Sequence, residues 1–317
     1  MIPDLPDGWS GRTATLDDVP PILDVMVASD IAAVGEPDST TDFVVEILTA
    51  PNAEAVVAFD PTGRLAGFGA MNNETRSDRD NIEIYVHPEG GQPAVPPLLR
   101  WGLAQVARRA REWGRPRLTA RVALIPTETV LVEALTAAGF QFTKRYARMR
   151  VELPAPVEPV LPPGVTIRPF RHDDPAERLT WHDILASAFA DTPDFIPSTP
   201  EDWWAKTDRP EVRIDWDEWW LALVDGTPAG LLQSDGLSVE QDEGWVKNLA
   251  VLRAYRGRGL ARALLATAFA AYTAKGRKRA GLGVDLTNPT GAYDLYRSVG
   301  MSPAFEADMY ELVVEAG

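Results

Sequence analysis

Apolar and polar positions follow two rhythms along the chain, period 2 and period 3.6, and the same order of rhythms occurs twice. In the first half, residues 12–30 read as a short strand, an acidic pair (Asp17, Asp18) and a helix with apolar residues at helical spacing. Residues 167–189 repeat that order around Asp173 and Asp174. Apolar runs flanking a Gly-containing turn come next, at 55–71 and 221–236, and predict hairpins. A strand (82–88 or 245–251) then leads into a long helix, and a further strand (117–122 or 280–286) precedes a helix that stops at Gly139 or Gly300. Each half closes on a strand-like tail, at 142–153 and 304–314. The pattern predicts a duplicated α+β unit.

One stretch breaks the rhythm. Pro154, Pro156, Pro159, Pro162 and Pro163 crowd residues 154–164. Proline removes the amide donor and fixes φ, so this stretch is expected to be a stiff extended linker. It divides the chain into a first domain at 1–153 and a second at 165–317.

Composition narrows the chemistry. The 317 residues include no cysteine and only three histidines, His87, His172 and His182. That excludes a disulfide framework, a thiolate metal site and a cysteine nucleophile, and no metal site is expected. The formal net charge of −15 disfavours nucleic acid and anionic membrane surfaces as partners. No apolar run approaches the roughly 20 residues of a bilayer span. The first ten residues lack the pattern of a secretory signal, and a cytoplasmic protein is expected.

The most informative segment is 245–301. An apolar strand runs into a turn carrying Arg256, Gly257, Arg258 and Gly259, and a helix begins with Leu260 and Ala261. Glycines at a strand-to-helix turn admit unusual φ and close approach by a ligand. The first helix amides lack internal partners and sit at the positive end of the dipole, which suits a phosphate or pyrophosphate. A Rossmann fingerprint would place a third glycine where Arg262 stands, and no phosphate-loop motif with Lys-Ser/Thr is present.

The run V-x-x-x-x-R-G-x-G-x-A followed by Leu264-Leu265 resembles the acyl-CoA-binding signature of the GNAT superfamily of N-acyltransferases. Leu282, Val284, Asn288, Ala292, Leu295, Tyr296, Gly300 and Met301 resemble that family's next strand and helix. The resemblance covers about 165–315. It implies two tandem GNAT-like domains, each a mixed, mostly antiparallel sheet flanked by helices, in a layout similar to a mycothiol synthase-like branch. It also implies acetyl-CoA as donor. The pyrophosphate would fall on the amides of Arg256, Gly257, Arg258, Gly259, Leu260 and Ala261. A bulged strand would offer Leu249, Ala250 and Val251 to pantetheine, with Asn288 beside that arm. Tyr296 matches the tyrosine that protonates the departing thiolate. The family's strand glutamate falls near Trp245; Glu240, Asp242 and Glu243 lie just upstream, with Glu243 the candidate general base, directly or through water, and an ordered water chain the equal alternative.

The first half resembles the family in outline only. Its turn carries Pro93, Pro96 and Pro97, which remove amides, and Leu135 stands where Tyr296 is expected. A degenerate, CoA-free domain follows from that reading. Charge is also uneven. Residues 171–243 hold 18 acidic and 5 basic side chains, whereas 247–297 hold 10 basic and 2 acidic. The basic block suits a polyanionic donor, and the acidic block, with Trp203, Trp204, Trp216, Trp219 and Trp220, suits a cationic amine. The expected activity is transfer of an acetyl group from acetyl-CoA to a primary amine by direct attack in a ternary complex. The alternative is a non-catalytic acyl-CoA-binding sensor or interaction module, which would need the binding residues but not Tyr296 with a base.

Overall fold

The computed structural model describes residues 2–192, 195–209, 214–287 and 291–317. The chain forms two compact units, Met1–Tyr146 with Phe305–Gly317, and Ala147–Ala304.

In the first unit, β1 (Ser10–Thr13), α1 (Val19–Val34), α2 (Thr41–Thr49), β2 (Glu54–Phe59), β3 (Leu65–Asn72) and β4 (Arg79–Val86) lead into α3 (Val95–Glu112), β5 (Arg117–Leu124), α4 (Thr129–Ala137) and the start of β6 (Gln141–Glu152). Neighbouring strands from β1 to β4 are antiparallel, and β4 pairs with β5 in parallel. Helix α3 packs Leu98, Trp101 and Val106 with Ile82 and Leu118 in one core cluster. The other face carries Ile22, Met26, Val44 and Ile47 against Val57 and Phe68. Both faces are covered, so β3 is buried along seven of its eight positions rather than alternating.

The second unit repeats the plan. The rest of β6 is followed by β7 (Val165–Pro169), α5 (Pro175–Phe189), α6 (Pro200–Thr207), β8 (Trp219–Val224), β9 (Thr227–Asp235), β10 (Glu243–Val251), α7 (Leu260–Ala274), β11 (Arg279–Asp285), α8 (Ala292–Ser298) and β12 (Ser302–Glu315). Strands β7 to β10 are antiparallel and β10 meets β11 in parallel. Helix α7 lays Leu264, Leu265, Phe269 and Tyr272 on one face. Trp181, Leu185 and Trp204 pack with Trp219 on the other. The mixed, mostly antiparallel α+β architecture is thus present in both units.

Helix starts are built from the acidic pairs, but not identically. Asp18 takes a bidentate bond from Arg12 (2.7 and 2.6 Å) and accepts the Thr15 amide. The Arg12 contact holds its carboxyl down at about 2. In the second unit Asp174 caps α5 by accepting the amides of Ala176 and Glu177. The arginine clamp passes to Glu177, whose oxygens receive Arg168 (2.8 and 2.6 Å).

The division of the chain differs from the one expected at 154–164. Strand β12 pairs with β5 from Asp308 to Glu315 and so completes the first unit's sheet. Beside it, Thr143 donates to the Met309 carbonyl and Arg145 to Asp308. The second half of β6 instead lies next to β11. The two closing tails are therefore exchanged. Side-chain alternation explains it: Tyr310, Leu312 and Val314 pack on the first core, and Ala147, Met149 and Val151 belong to the second. The proline-rich stretch lies inside the second unit, not between the two. Of the five tryptophans of the acidic block, Trp204, Trp219 and Trp220 are buried, and Trp203 and Trp216 are half-buried. Trp219 and Trp220 are both buried, on opposite faces of β8, because both faces of this sheet are covered.

Candidate acyl-transfer site

The site begins with a parallel ladder that stops early. Strand β10 pairs with β11 only through Glu243, Gly244 and Trp245. Beyond Trp245 the strands part, while β10 stays registered with β9 through Leu249, Ala250 and Val251. A register shift between Val246 and Asn248 leaves Lys247 as the extra, exposed residue. Such a bulge bends the strand and ends pairing on one side. The side of residues 249–251 away from β9 therefore borders the opening. Asn248 donates to Gln233 at 2.6 Å across the bulge, a polar pair that sequence reasoning did not assign. The signal for it in the sequence was the polar pair Lys247-Asn248 interrupting the apolar run of the strand.

After β10 comes the turn. Gly257 and Gly259 both have left-handed φ, +74° and +81°. A Cβ on Gly257 would meet nothing within 4 Å, so the turn is open to a ligand. Gly259 is the N-cap of α7, and no side chain caps the helix. Its first amides have no intrahelical acceptors and face outward at the positive end of the dipole. That geometry fits a pyrophosphate group. Leu260 is buried and anchors the helix start. Arg258 stacks over Tyr255 at 5.4 Å. Arg256 bonds the carbonyls of Val251 and Ala188, both at 3.1 Å, so it braces the turn against β10 and α5.

Tyr296 lies on α8, half-buried against the same core cluster as Leu249 and Val251. Burial pushes its phenol up to about 12. The helix ends in a two-bond cap, with Met301 N donating to Tyr296 O and Gly300 N to Arg297 O. Asn288 lies outside the described residues.

Glu243 is not at the opening. It starts β10, is fully buried, and is ion-paired to Arg148 (3.1 Å), Arg150 (3.2 Å) and Arg279 (3.8 Å). It stands six residues before Leu249, about 20 Å along an extended strand. A base has to come within hydrogen-bond reach of its proton, and this carboxylate is engaged by guanidiniums instead.

Part of the acidic block is ion-paired as well. Asp215 and Glu218 pair with Lys275, Glu218 with Arg277, and Asp242 with Lys278. These pairs neutralise the basic block at the C-terminal end of α7. Arg253, Arg256, Arg258 and Arg262 stand around its N-terminal end, with Arg253 3.7 Å from Asp191. Trp204 and Trp219 sit in a core cluster with Phe170 and Trp181, so they pack the sheet rather than wall an acceptor pocket.

A splayed parallel strand pair, a bulge, and an open glycine turn onto an uncapped helix define an acyl-CoA-dependent N-acyltransferase. The acetyltransferase (GNAT) family profile matches residues 180–301. Mycothiol acetyltransferase from Thermobispora bispora is 32% identical over 248 residues, 75% of this chain and 77% of that protein. The one from Salinispora arenicola is 30% identical over 309 residues, 92% of each. A GCN5-related N-acetyltransferase from Sphaerobacter thermophilus superposes with TM-score 0.83 at 26% identity, covering 98% and 97%. A tandem GNAT protein from the clavulanic acid biosynthesis pathway shares the fold, with TM-score 0.71, 16% identity and coverage of 98% and 99%. The chain belongs to the GNAT acetyltransferase family, in its tandem layout. Among the described residues no helix is long and apolar enough to cross a membrane, and no group of three acidic or histidine side chains could hold a metal ion.

Proposed function

We propose that the second unit transfers an acetyl group from acetyl-CoA to a small-molecule primary amine by direct attack in a ternary complex. The observation that carries this reading is the open turn at Gly257 and Gly259, which feeds an uncapped helix beside a strand edge freed by a bulge. In this reading the amides of 257–261 take the pyrophosphate. The edge at Leu249, Ala250 and Val251 takes the pantetheine arm. One amide there polarises the thioester carbonyl.

The amine nitrogen attacks the carbonyl carbon, a tetrahedral intermediate forms, and the C–S bond breaks. Tyr296 donates a hydrogen bond to the departing sulfur. At about 12 its phenol stays protonated throughout the neutral range. Full transfer to a thiolate of pKa near 8.5 is uphill, so the phenol acts while charge develops. The proton released by the nitrogen passes through solvent to the thiol. Glu243 is assigned a structural part, and the amine enters as its free base.

The first unit is read as degenerate and CoA-free. Its curated relatives' name supports a mycothiol-type acceptor, the cysteinyl amine of a pseudo-disaccharide, as the first amine to try. Titration calorimetry with acetyl-CoA, followed by thiol release over an amine panel that includes this compound, tests the proposal. One molecule of acetyl-CoA per chain and turnover of a panel amine are expected. Binding without turnover of any amine would favour the sensor reading, and saturable NADH binding without acetyl-CoA binding would overturn both.

A further inference from the structure

The proline-rich stretch is a strap on the second unit. It leaves β6 with Leu153 N bonded to Lys278 O at 2.8 Å. Leu153, Ala155 and Val157 pack against the α7-side core. The Pro156 ring lies against Gly300, at the end of α8, where an added Cβ would come within 2.5 Å of it. The Pro162 ring lies 3.3 Å from the place of a Cβ on Gly259, the N-cap of α7. Val165 N then bonds Pro162 O at 3.0 Å and β7 begins. Arg262 ties the two helices beneath the strap by donating to Ser298 O at 2.7 Å.

Between these anchors two apolar side chains are held outward. Val160 is 72% exposed and Leu161 44% exposed, in a strap whose Val157 and Pro162 are half-buried. Prolines at 159, 162 and 163 restrict the backbone here, so the side chains are presented at little entropic cost. They directly precede Pro162, whose ring meets the N-cap of α7. The strap reaches this turn from the end of α8 and the start of β7, not from the β10–β11 opening. In the donor reading pantetheine runs from the turn along the edge at Leu249, Ala250 and Val251, so the adenosine has to leave the turn away from that edge.

We infer that Val160 and Leu161 form an apolar seat for the adenine ring of the acyl-CoA donor, which makes the strap part of the donor site. A flat ring with apolar faces is the part of the donor that gains from such a surface. The inference rests on the donor reading above. It assigns to this chain's proline-rich stretch a recognition role in place of a linker role.

The test compares CoA with 4′-phosphopantetheine, which lacks the 3′-phosphoadenosine and one phosphate of the pyrophosphate, on the full chain and on a Val160→Ser/Leu161→Ser variant. Neutral replacements leave the charge around the anion unchanged, and the exposure of both positions predicts an unaltered Tm. By calorimetry the variant should bind CoA about five- to tenfold more weakly, the scale of one lost apolar contact, and bind 4′-phosphopantetheine as the parent does. Unchanged CoA affinity, or equal weakening toward both ligands, would overturn the seat alone. A parent chain that binds no CoA would overturn the donor reading, and the seat with it.

Discussion

The two units reach the same turn with opposite chemistry. In both, a parallel ladder of three pairs opens into a splay: Arg79, Asp80 and Asn81 on β4, and Glu243, Gly244 and Trp245 on β10. Both short helices also end in the same cap. Phe140 N bonds Leu135 O as Met301 N bonds Tyr296 O. Leu135 and Tyr296 therefore occupy one structural place, and a fully buried aliphatic stands where the second unit has a phenol. The turns diverge further. In the first unit Gly91 N bonds His87 O, Ala94 N bonds Gly91 O, and Glu89 N bonds the His87 ring. A Cβ on Gly91 would strike backbone at 2.5 Å, so this glycine folds the turn tightly against the His87 and Ala66 backbone. The ladder β3–β4 runs without a bulge. A cavity of about 150 Å³ beside β4 is lined by Glu83, Glu128, Asp30 and Asp38, carboxylates that repel a polyanion. The comparison teaches that the fold supplies the opening in both units, while the units differ in their free turn amides, in a bulge and in one hydroxyl.

Replacing Tyr296 by Phe should bring the second unit's chemistry down to that of the first. We expect kcat to fall by about 10²–10⁴ with acetyl-CoA affinity within twofold. An unchanged kcat at all pH values would remove Tyr296 from the chemistry. Glu243→Gln tests the other assignment. It leaves Arg148, Arg150 and Arg279 without their countercharge and should cost about 3–5 kcal/mol in denaturant unfolding. At a permissive temperature the pH profile of kcat/KM should keep its shape. Loss of its acidic limb would restore Glu243 as the base.

Gly259→Val forces a β-branched residue to φ near +81°, at a strain of about 1–3 kcal/mol. Acetyl-CoA should then bind at least tenfold more weakly, whereas Gly90→Ala at the first unit's turn should leave it unchanged. A loss in the second variant would mean that the first unit binds donor. The smallest effect concerns Glu83. Burial lifts its carboxyl to about 6. A carboxylate raised above its ordinary value costs stability once ionised, so the cost is absent below about pH 4.5 and complete above about 6. Glu83→Gln should stabilise the protein by about 1–2 kcal/mol at pH 7.5, the side chain being only half-buried, and by much less at pH 5. Equal effects at both pH values would refute this account.

Much of this was legible from residues. The duplicated order of elements follows from periodicity, and the turn from two glycines between a strand and an amphipathic helix. The bulge and the pantetheine edge came only with a family resemblance, because a bulge leaves no local mark in V-K-N-L-A-V. Glu243 was misread because proximity in sequence to the expected strand position says nothing of Arg148 and Arg150, almost a hundred residues earlier. The acidic block suggested a cationic acceptor until the ion pairs of Asp215, Glu218 and Asp242 with the end of α7 were visible.

Local chemistry set the duplicated order of strands and helices, the places where helices stop, and the amide-rich turn, since each depends on a few consecutive residues. Glycine φ, proline and period act over that range. Tertiary structure decided the exchange of β6 and β12, the seating of the proline strap on Gly259 and Gly300, and the burial of Glu243 among arginines. Those depend on which distant surfaces meet, and a strand with one apolar face pairs wherever a core lacks its last edge.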